Sequence, residues 1–304
     1  MAVTEPSHAS LAGNADIALS VRAHDRVGYR RTDQAWLDDT WADPATRVLL
    51  IAEAMFPVTA DRTALAWRSP SEAPQGQRVF LGSQYDVAHF AVLLDKPPVD
   101  EEWAGFRSVA SHLSVDDAGL LVHAIALAEW HLGHRHCPRC GGLLEVAQAG
   151  HLLTCSDCGK QQFPRTDPAV IMLVTHGERA LLGRQASWQP GRYSTLAGFV
   201  DPGESLEAAV VREVAEEVGV EVGDVTYFGN QPWPFPASLM VGFFARAVTT
   251  EISVDNDEIS DARWFTRDEM KAEAEAGTLI LPGGISISRS LVEAWYGGPL
   301  PGQW

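Results

Sequence analysis

The sequence predicts an α+β chain with more than one core. Three observations carry this. Short β-rich runs divided by Pro and Gly fill the N-terminal third, strands alternate with helices after Thr166, and a tight group of all four cysteines lies between the two regions. A chain of 304 residues is long for one domain and comfortable for two. The expected division is 1–128 for an N-terminal α+β domain, 129–165 for the cysteine segment and 166–304 for a second mixed domain.

In the first region RVLLIA (47–52), TALAWR (63–68), RVFLG and HFAVLL read as strands, separated by punctuation such as SPSEAPQGQ. A helix is expected over residues 103–112. A second should start at Ser114, where SVDD offers a capping hydroxyl with an acid three residues on, and its mostly apolar length suits packing on the strands. No chemistry is visible in this region.

The cysteines form two CxxC pairs, Cys137/Cys140 and Cys155/Cys158, with fourteen residues between them. That is the spacing of a ribbon in which four thiolates surround one tetrahedral Zn²⁺, and Gly141 and Gly159 suit the tight turn that follows each pair. Structural disulfides fit a cytoplasmic chain poorly, and a redox CxxC needs no second copy. With four thiolate ligands no coordination position is open, so the metal is expected to be structural. His131, His134 and His136 read as surface or supporting residues near it.

In the third region AVIMLVT, RALLGR, VTYFGN and SLMVGFFARAV read as strands and residues 267–276 as a helix, which suggests an α+β or α/β sandwich. Its most unusual stretch is REVAEEVG, residues 212–219, with Glu213, Glu216 and Glu217 at helical spacing on one face. Ser205 can cap this helix, and Val210, Val211, Val214 and Val218 are expected to supply its buried side, opposite the carboxylates. Taken alone, the crowding reads either as a solvated acidic face or as a site for a hard divalent cation. Arg212, four residues before Glu216, is placed to steady that carboxylate.

Charge and hydropathy exclude several classes. A net charge of −17 argues against a broad grip on nucleic-acid backbone. No window approaches the roughly 18 to 20 apolar residues of a membrane span, and the first thirty residues lack the basic start and apolar run of a signal peptide, so a cytoplasmic address is expected.

The stretch GFVDPGESLEAAVVREVAEEVGV, residues 198–220, matches the Nudix box G-x5-E-x7-R-E-U-x-E-E-x-G-U, with U a bulky aliphatic residue, at every specified position. On these residues the chain resembles the Nudix hydrolases, which implies an αβα sandwich and Mg²⁺- or Mn²⁺-dependent hydrolysis of a nucleoside diphosphate linked to another group. Downstream, NQPWPFPAS (230–238) is expected to be a stiff extended loop and is similar to the SQPWPFPxS of the NADH pyrophosphatase branch, with Asn230 in place of the first serine. The cysteine ribbon directly before the Nudix region fits the same branch.

The resemblance implies metal ligation by Glu213, Glu216, Glu217 and the more distant Glu258, with Arg212 and Glu204 in support. It places Phe163 and Phe199 around adenine, with Phe163 where tyrosine is common, and Gln231, Trp233, Ser238 and Ser288 near substrate, Ser288 through its backbone. The implied reaction converts NADH or NAD⁺ to AMP and the nicotinamide mononucleotide. NAD-capped RNA, cut at its 5′ end by the same chemistry, and ADP-ribose are alternatives. A homodimer is implied as well. A non-catalytic nucleotide-binding regulator would be marked by a damaged box, and this box is intact.

Overall fold

The computed structural model describes residues 17–20, 22–98, 101–254 and 258–302. The chain forms two units: Val21–Thr166 with Trp233–Ala237, and Asp167–Pro232 with Ser238–Trp304 and residues 17–20.

The N-terminal unit begins with α1 (Gln34–Ala42), capped by Asp33, whose carboxylate accepts from the Trp36 N–H. Next come β1 (Arg47–Ile51), β2 (Met55–Pro57), β3 (Gln77–Gln84), β4 (Val87–Leu93), β5 (Trp103–Gly105), α2 (Phe106–Val109) and α3 (Val115–Gly133). Strand β4 is central, parallel to β1 and antiparallel to β3. The Ser114 hydroxyl caps α3 by accepting from the Asp117 N–H, and ten residues of this apolar helix are buried. The ribbon strands β6 (Leu144–Ala147), β7 (Leu152–Cys155) and β8 (Gln161–Gln162) complete the unit.

Two expectations fail here. Residues 63–68 form only isolated bridges, Leu65 to Val58 and Arg68 to Val48. The Asp61 carboxylate accepts from the Thr59 hydroxyl and the Thr63 N–H, and Arg62 sits at φ 59°, so the chain turns where a strand would have to start. Residues 103–112 are not one helix. Trp103–Gly105 pair with β2, and only Phe106–Val109 are helical after an extended Gly105. Helix α1 carries no strong periodic signal and was not anticipated.

The second unit is a six-stranded sheet of β9 (Asp167–His176), β10 (Arg179–Arg184), β11 (Leu196–Phe199), β12 (Val222–Trp233), β13 (Ser238–Ala247) and β14 (Asp261–Thr266), with α4 (Leu206–Val218), α5 (Arg267–Glu275) and α6 (Ile287–Tyr296). The order is β12-β13-β9-β10-β14, with β11 also paired to β9. Alternation along β9 separates two cores. Val170, Met172 and Val174 pack with the α4 residues Ala209, Val210, Val214 and Val218. Ile171 and Leu173 share the other core with Met270 and Ala274 of α5 and Ile287, Leu291 and Val292 of α6. This is the αβα sandwich.

The stretch 230–238 is strand as far as Trp233 and then turns. Pro232 is tolerated because β12 is an edge strand, where a missing N–H breaks no ladder. Among the described residues no helix is long and apolar enough to cross a membrane.

Four histidines are gathered in the N-terminal unit. His24 Nε2 lies 3.0 Å from His123 Nδ1, the His123 and His151 rings are 5.5 Å apart, and His151 Nε2 lies 2.7 Å from the Phe80 carbonyl oxygen. His89 packs edge-on to Trp67. Burial pushes His24 and His151 down to about 4, and lowers His89 and His123. Above pH 6.5 these rings are neutral in both folded and unfolded chains. Below it the unfolded chain takes up protons that the fold resists, His24 and His151 until the pH nears 4, so acid favours unfolding across that window. Scanning calorimetry from pH 7.5 to 4.5 should show the N-terminal unit losing stability progressively below pH 6.5, by on the order of 2 kcal/mol or more in total.

Candidate active site

Helix α4 begins at Ser205, whose hydroxyl accepts from the Ala208 N–H, and ends at Gly219, which takes φ 69° as a left-handed cap. Its buried stripe runs Ala209, Val210, Glu213, Val214, Glu217 and Val218. Two corrections follow. Val211 is exposed, and the carboxylates do not all lie opposite the apolar side, since Glu213 is 8% and Glu217 4% exposed. The apolar arc and the acidic arc meet at these two residues, so the carboxylates stand in a partly desolvated rim.

Arg212 makes that rim tenable. Its Nε and Nη2 donate to the two oxygens of Glu204 at 2.9 and 2.8 Å. Nη1 donates to Glu213 at 2.8 Å and Glu216 at 3.0 Å, and Nη2 also reaches the Phe199 carbonyl at 2.9 Å. One guanidinium therefore ties the loop glutamate, two helix glutamates and the end of β11 together. Hydrogen bonds from Arg212 and the Asp201 N–H hold Glu204 below the usual carboxylate range. Burial pushes Glu213 up against the pull of Arg212, and the charges of Glu216 and Glu258 add to the rise.

Glu213, Glu216, Glu217, Glu258, Arg212, Phe199 and Ser238 line one cleft of about 640 Å³. The fit to a divalent cation is chemical: four acceptor-only carboxylates converge on one cleft, burial and neighbouring charge already oppose ionisation of Glu213, and one arginine does not neutralise four of them. Gly198 sets the approach of strand to helix, because a Cβ there would fall 2.0–2.2 Å from the Glu213 carboxylate. The Phe199 ring is 60% exposed at the cleft. Ala169 and Met240 also line it, set level with Phe199 by the pairing of β9 with β11 and β13. Sequence reasoning missed both, since only strand register brings them there.

Other expected residues are placed elsewhere. Gln231 is 1% exposed; its Nε2 donates to the Ala18 and Ile285 carbonyls, and its Oε1 accepts from the Ile287 N–H. The buried Ser288 hydroxyl meets the hydroxyls of Ser194 and Thr195, each at 2.8 Å, and its N–H donates to the Ser286 cap. Both side chains are occupied in holding the N-terminus of α6. Trp233 belongs to the N-terminal unit, against Phe106 and Phe235, as does the exposed Phe163.

The four cysteine sulfurs all lie within 4.8 Å of one another. The two knuckles repeat one geometry: the Gly141 N–H donates to the Cys137 carbonyl and the Gly159 N–H to that of Cys155, with both glycines left-handed at φ 80° and 69°. Backbone N–H groups of Arg139 and Cys140 hold the Cys137 thiol down to about 7. Against the N–H of Gly142, which pulls it down, the sulfurs of Cys158 and Cys155 push Cys140 up to about 12. A Zn²⁺ ion resolves that conflict by keeping all four as thiolates, so the donor set fits it.

Residues 165–280 match the NUDIX domain, and residues 45–130 match the NADH pyrophosphatase-like rudimentary NUDIX domain. The NAD-capped RNA hydrolase NudC of Mycobacterium bovis (strain BCG / Pasteur 1173P2) is 40% identical over 295 residues, spanning 91% of this chain and 94% of that protein. The chain belongs to the Nudix hydrolase family. Within this family, NudC of Pseudomonas aeruginosa (strain LESB58) is 39% identical over 234 residues, 74% of this chain and 81% of the relative. The human NAD-capped RNA hydrolase NUDT12 is 42% identical over 196 residues, 60% of this chain and 42% of its own length.

For this Nudix hydrolase, Gly198→Ala should lower hydrolysis at least about 10-fold while the fold persists, because Glu213 must move. Circular dichroism alongside kinetics separates the two effects. Cys137→Ser, or stripping with a thiol-directed mercurial that frees metal to a dye, should lower Tm and release one zinc per chain.

Proposed function

We propose that this chain hydrolyses the pyrophosphate bond of NADH and NAD⁺, giving AMP and reduced or oxidised nicotinamide mononucleotide. The cleft of four glutamates organised by Arg212 carries this reading, together with the match of residues 45–130 to the NADH pyrophosphatase-like domain. Water adds to one phosphorus as the bridging P–O bond breaks, so each product keeps one phosphate. Glu213, Glu216, Glu217 and Glu258 would hold Mg²⁺ or Mn²⁺. The bound ions would offset phosphate charge and acidify water.

The protein's own groups supply position. Arg212 sets the orientation of Glu213 and Glu216 and fixes Glu204 beneath the loop. The exposed Phe199 ring offers a flat apolar face to a base. Ser238, also in the cleft lining, offers a hydroxyl.

A second reading, removal of the NAD cap from the 5′ end of RNA by cleavage of the same bond, is supported by relatives at 39–42% identity that are named NAD-capped RNA hydrolases. A 5′ end needs only a small footprint, which the net charge of −17 allows. The proposal includes a structural Zn²⁺ on the four cysteines, a homodimer and a cytoplasmic address, the last two resting on family resemblance.

The test is chromatography of products from NADH and from an NAD-capped transcript, with Mg²⁺ supplied or withheld. AMP plus reduced nicotinamide mononucleotide, formed only with divalent metal, is expected. Nucleotide binding without cleavage of either substrate would overturn the proposal. Glu217→Gln should retain substrate binding and lose turnover at least about 100-fold.

A further inference from the structure

The wall of the glutamate cleft does not end at Phe199. Beyond β11 the Val200 N–H still donates to the Pro168 carbonyl at 3.1 Å, so the chain stays beside β9 for another residue. Side chains alternate along an extended chain. Leu196 and Val200 pack into the core shared with α4, and Ala197 packs against the opposite core. Ala197, Phe199 and Asp201 therefore share a side, and all three line the cleft.

The backbone of Asp201 is fixed. Its N–H donates to Glu204 Oε2 at 3.1 Å, its carbonyl accepts from the Glu204 N–H at 3.0 Å, and Glu204 is held in turn by Arg212. The carboxylate takes no part in this. Asp201 is exposed, and among the described residues its side chain has neither a hydrogen bond nor an ion pair. Charge along the wall is thus ordered: Gly198 abuts the Glu213 carboxylate, Phe199 follows with an exposed ring, and Asp201 comes last. Two residues of extended chain set Asp201 roughly 6.6 Å beyond Phe199, the scale of a nucleoside.

We propose that Asp201 is a specificity-determining residue whose charge admits a nucleotide with an unphosphorylated adenosine ribose and rejects one that carries a 2′-phosphate. This role rests on the reading above, in which the cleft takes NADH and NAD⁺ and Phe199 takes a base, here the adenine. A nucleotide with its 5′-phosphate among the glutamates and its base on Phe199 carries its 2′ oxygen across the sugar ring from C5′. A hydroxyl there can donate to a carboxylate. A phosphate there sits away from the metal-binding groups and in the field of a carboxylate that has no partner, and like charges at that range repel.

The test separates binding from turnover. AMP and adenosine 2′,5′-bisphosphate share base and 5′-phosphate and differ at the 2′ position alone; each is titrated calorimetrically into the full-length, zinc-loaded protein with Mg²⁺. In parallel, kcat and KM are measured for NADH and NADPH. Wild type should prefer AMP to the bisphosphate, and NADH to NADPH through KM. Asp201→Asn keeps the shape and the backbone contacts and removes the charge, so it should narrow both preferences at least about 10-fold, with the change falling on KM rather than kcat.

Asp201→Glu, with the charge retained, should keep the preferences. Glu207→Gln, at an exposed acid of α4 outside the cleft lining, should leave them as in wild type. No preference in wild type, an unchanged preference in Asp201→Asn, or an equal shift in Glu207→Gln would overturn the assignment. So would a fall in kcat of the same size on both dinucleotides, which is the signature of a lost metal ligand. Asp201-dependent preference for AMP without cleavage of NADH would sustain this role while overturning the proposed reaction.

Discussion

The mutual repulsion of carboxylates on α4, and the single guanidinium that restrains it, governs the architecture of the catalytic unit. Arg212 reaches Glu204, Glu213, Glu216 and the carbonyl of Phe199, so the loop after β11, the helix and the strand end share one hub. The hub works only if β11 approaches closely, which the missing side chain of Gly198 permits. The sheet then presents Phe199, Ala169 and Met240 at one level beside the carboxylates. A site for charge and a face for a flat ring arise from the same local packing.

The N-terminal unit handles charge in the opposite way. Burial and nearby arginines lower His24, His89, His123 and His151, whereas the glutamates of α4 line a cleft that water reaches. The ribbon adds a third solution, in which two left-handed glycines bring four sulfurs close enough for one metal to set their ionisation. In each case like groups are concentrated and their repulsion is tied to something the chain has to supply or bind.

Chemistry written in short, contiguous patterns was legible in the sequence. The cysteine spacing, the Ser205 cap and the box glutamates depend on local geometry, where neighbours in sequence are neighbours in space. The strands of the sandwich were legible for the same reason, through their apolar runs. The expected helix at 103–112 failed because three of its residues found a partner strand in β2, nearly fifty residues away, which no local pattern announces. Val211 shows the limit within a well-read helix: four valines suggest one buried stripe, but only packing decides which of them faces β9.

By itself, then, the sequence determined the family, the cysteine set and the carboxylates that crowd one helix, because each is encoded within one turn or one short motif. Tertiary structure decided what those groups face. Gln231 and Ser288 are directed into the hydrogen bonds that hold α6, and Met240 and Ala169 into the cleft. These outcomes depend on strand register and on contacts between residues far apart in the chain, and such contacts exist only once the cores have closed.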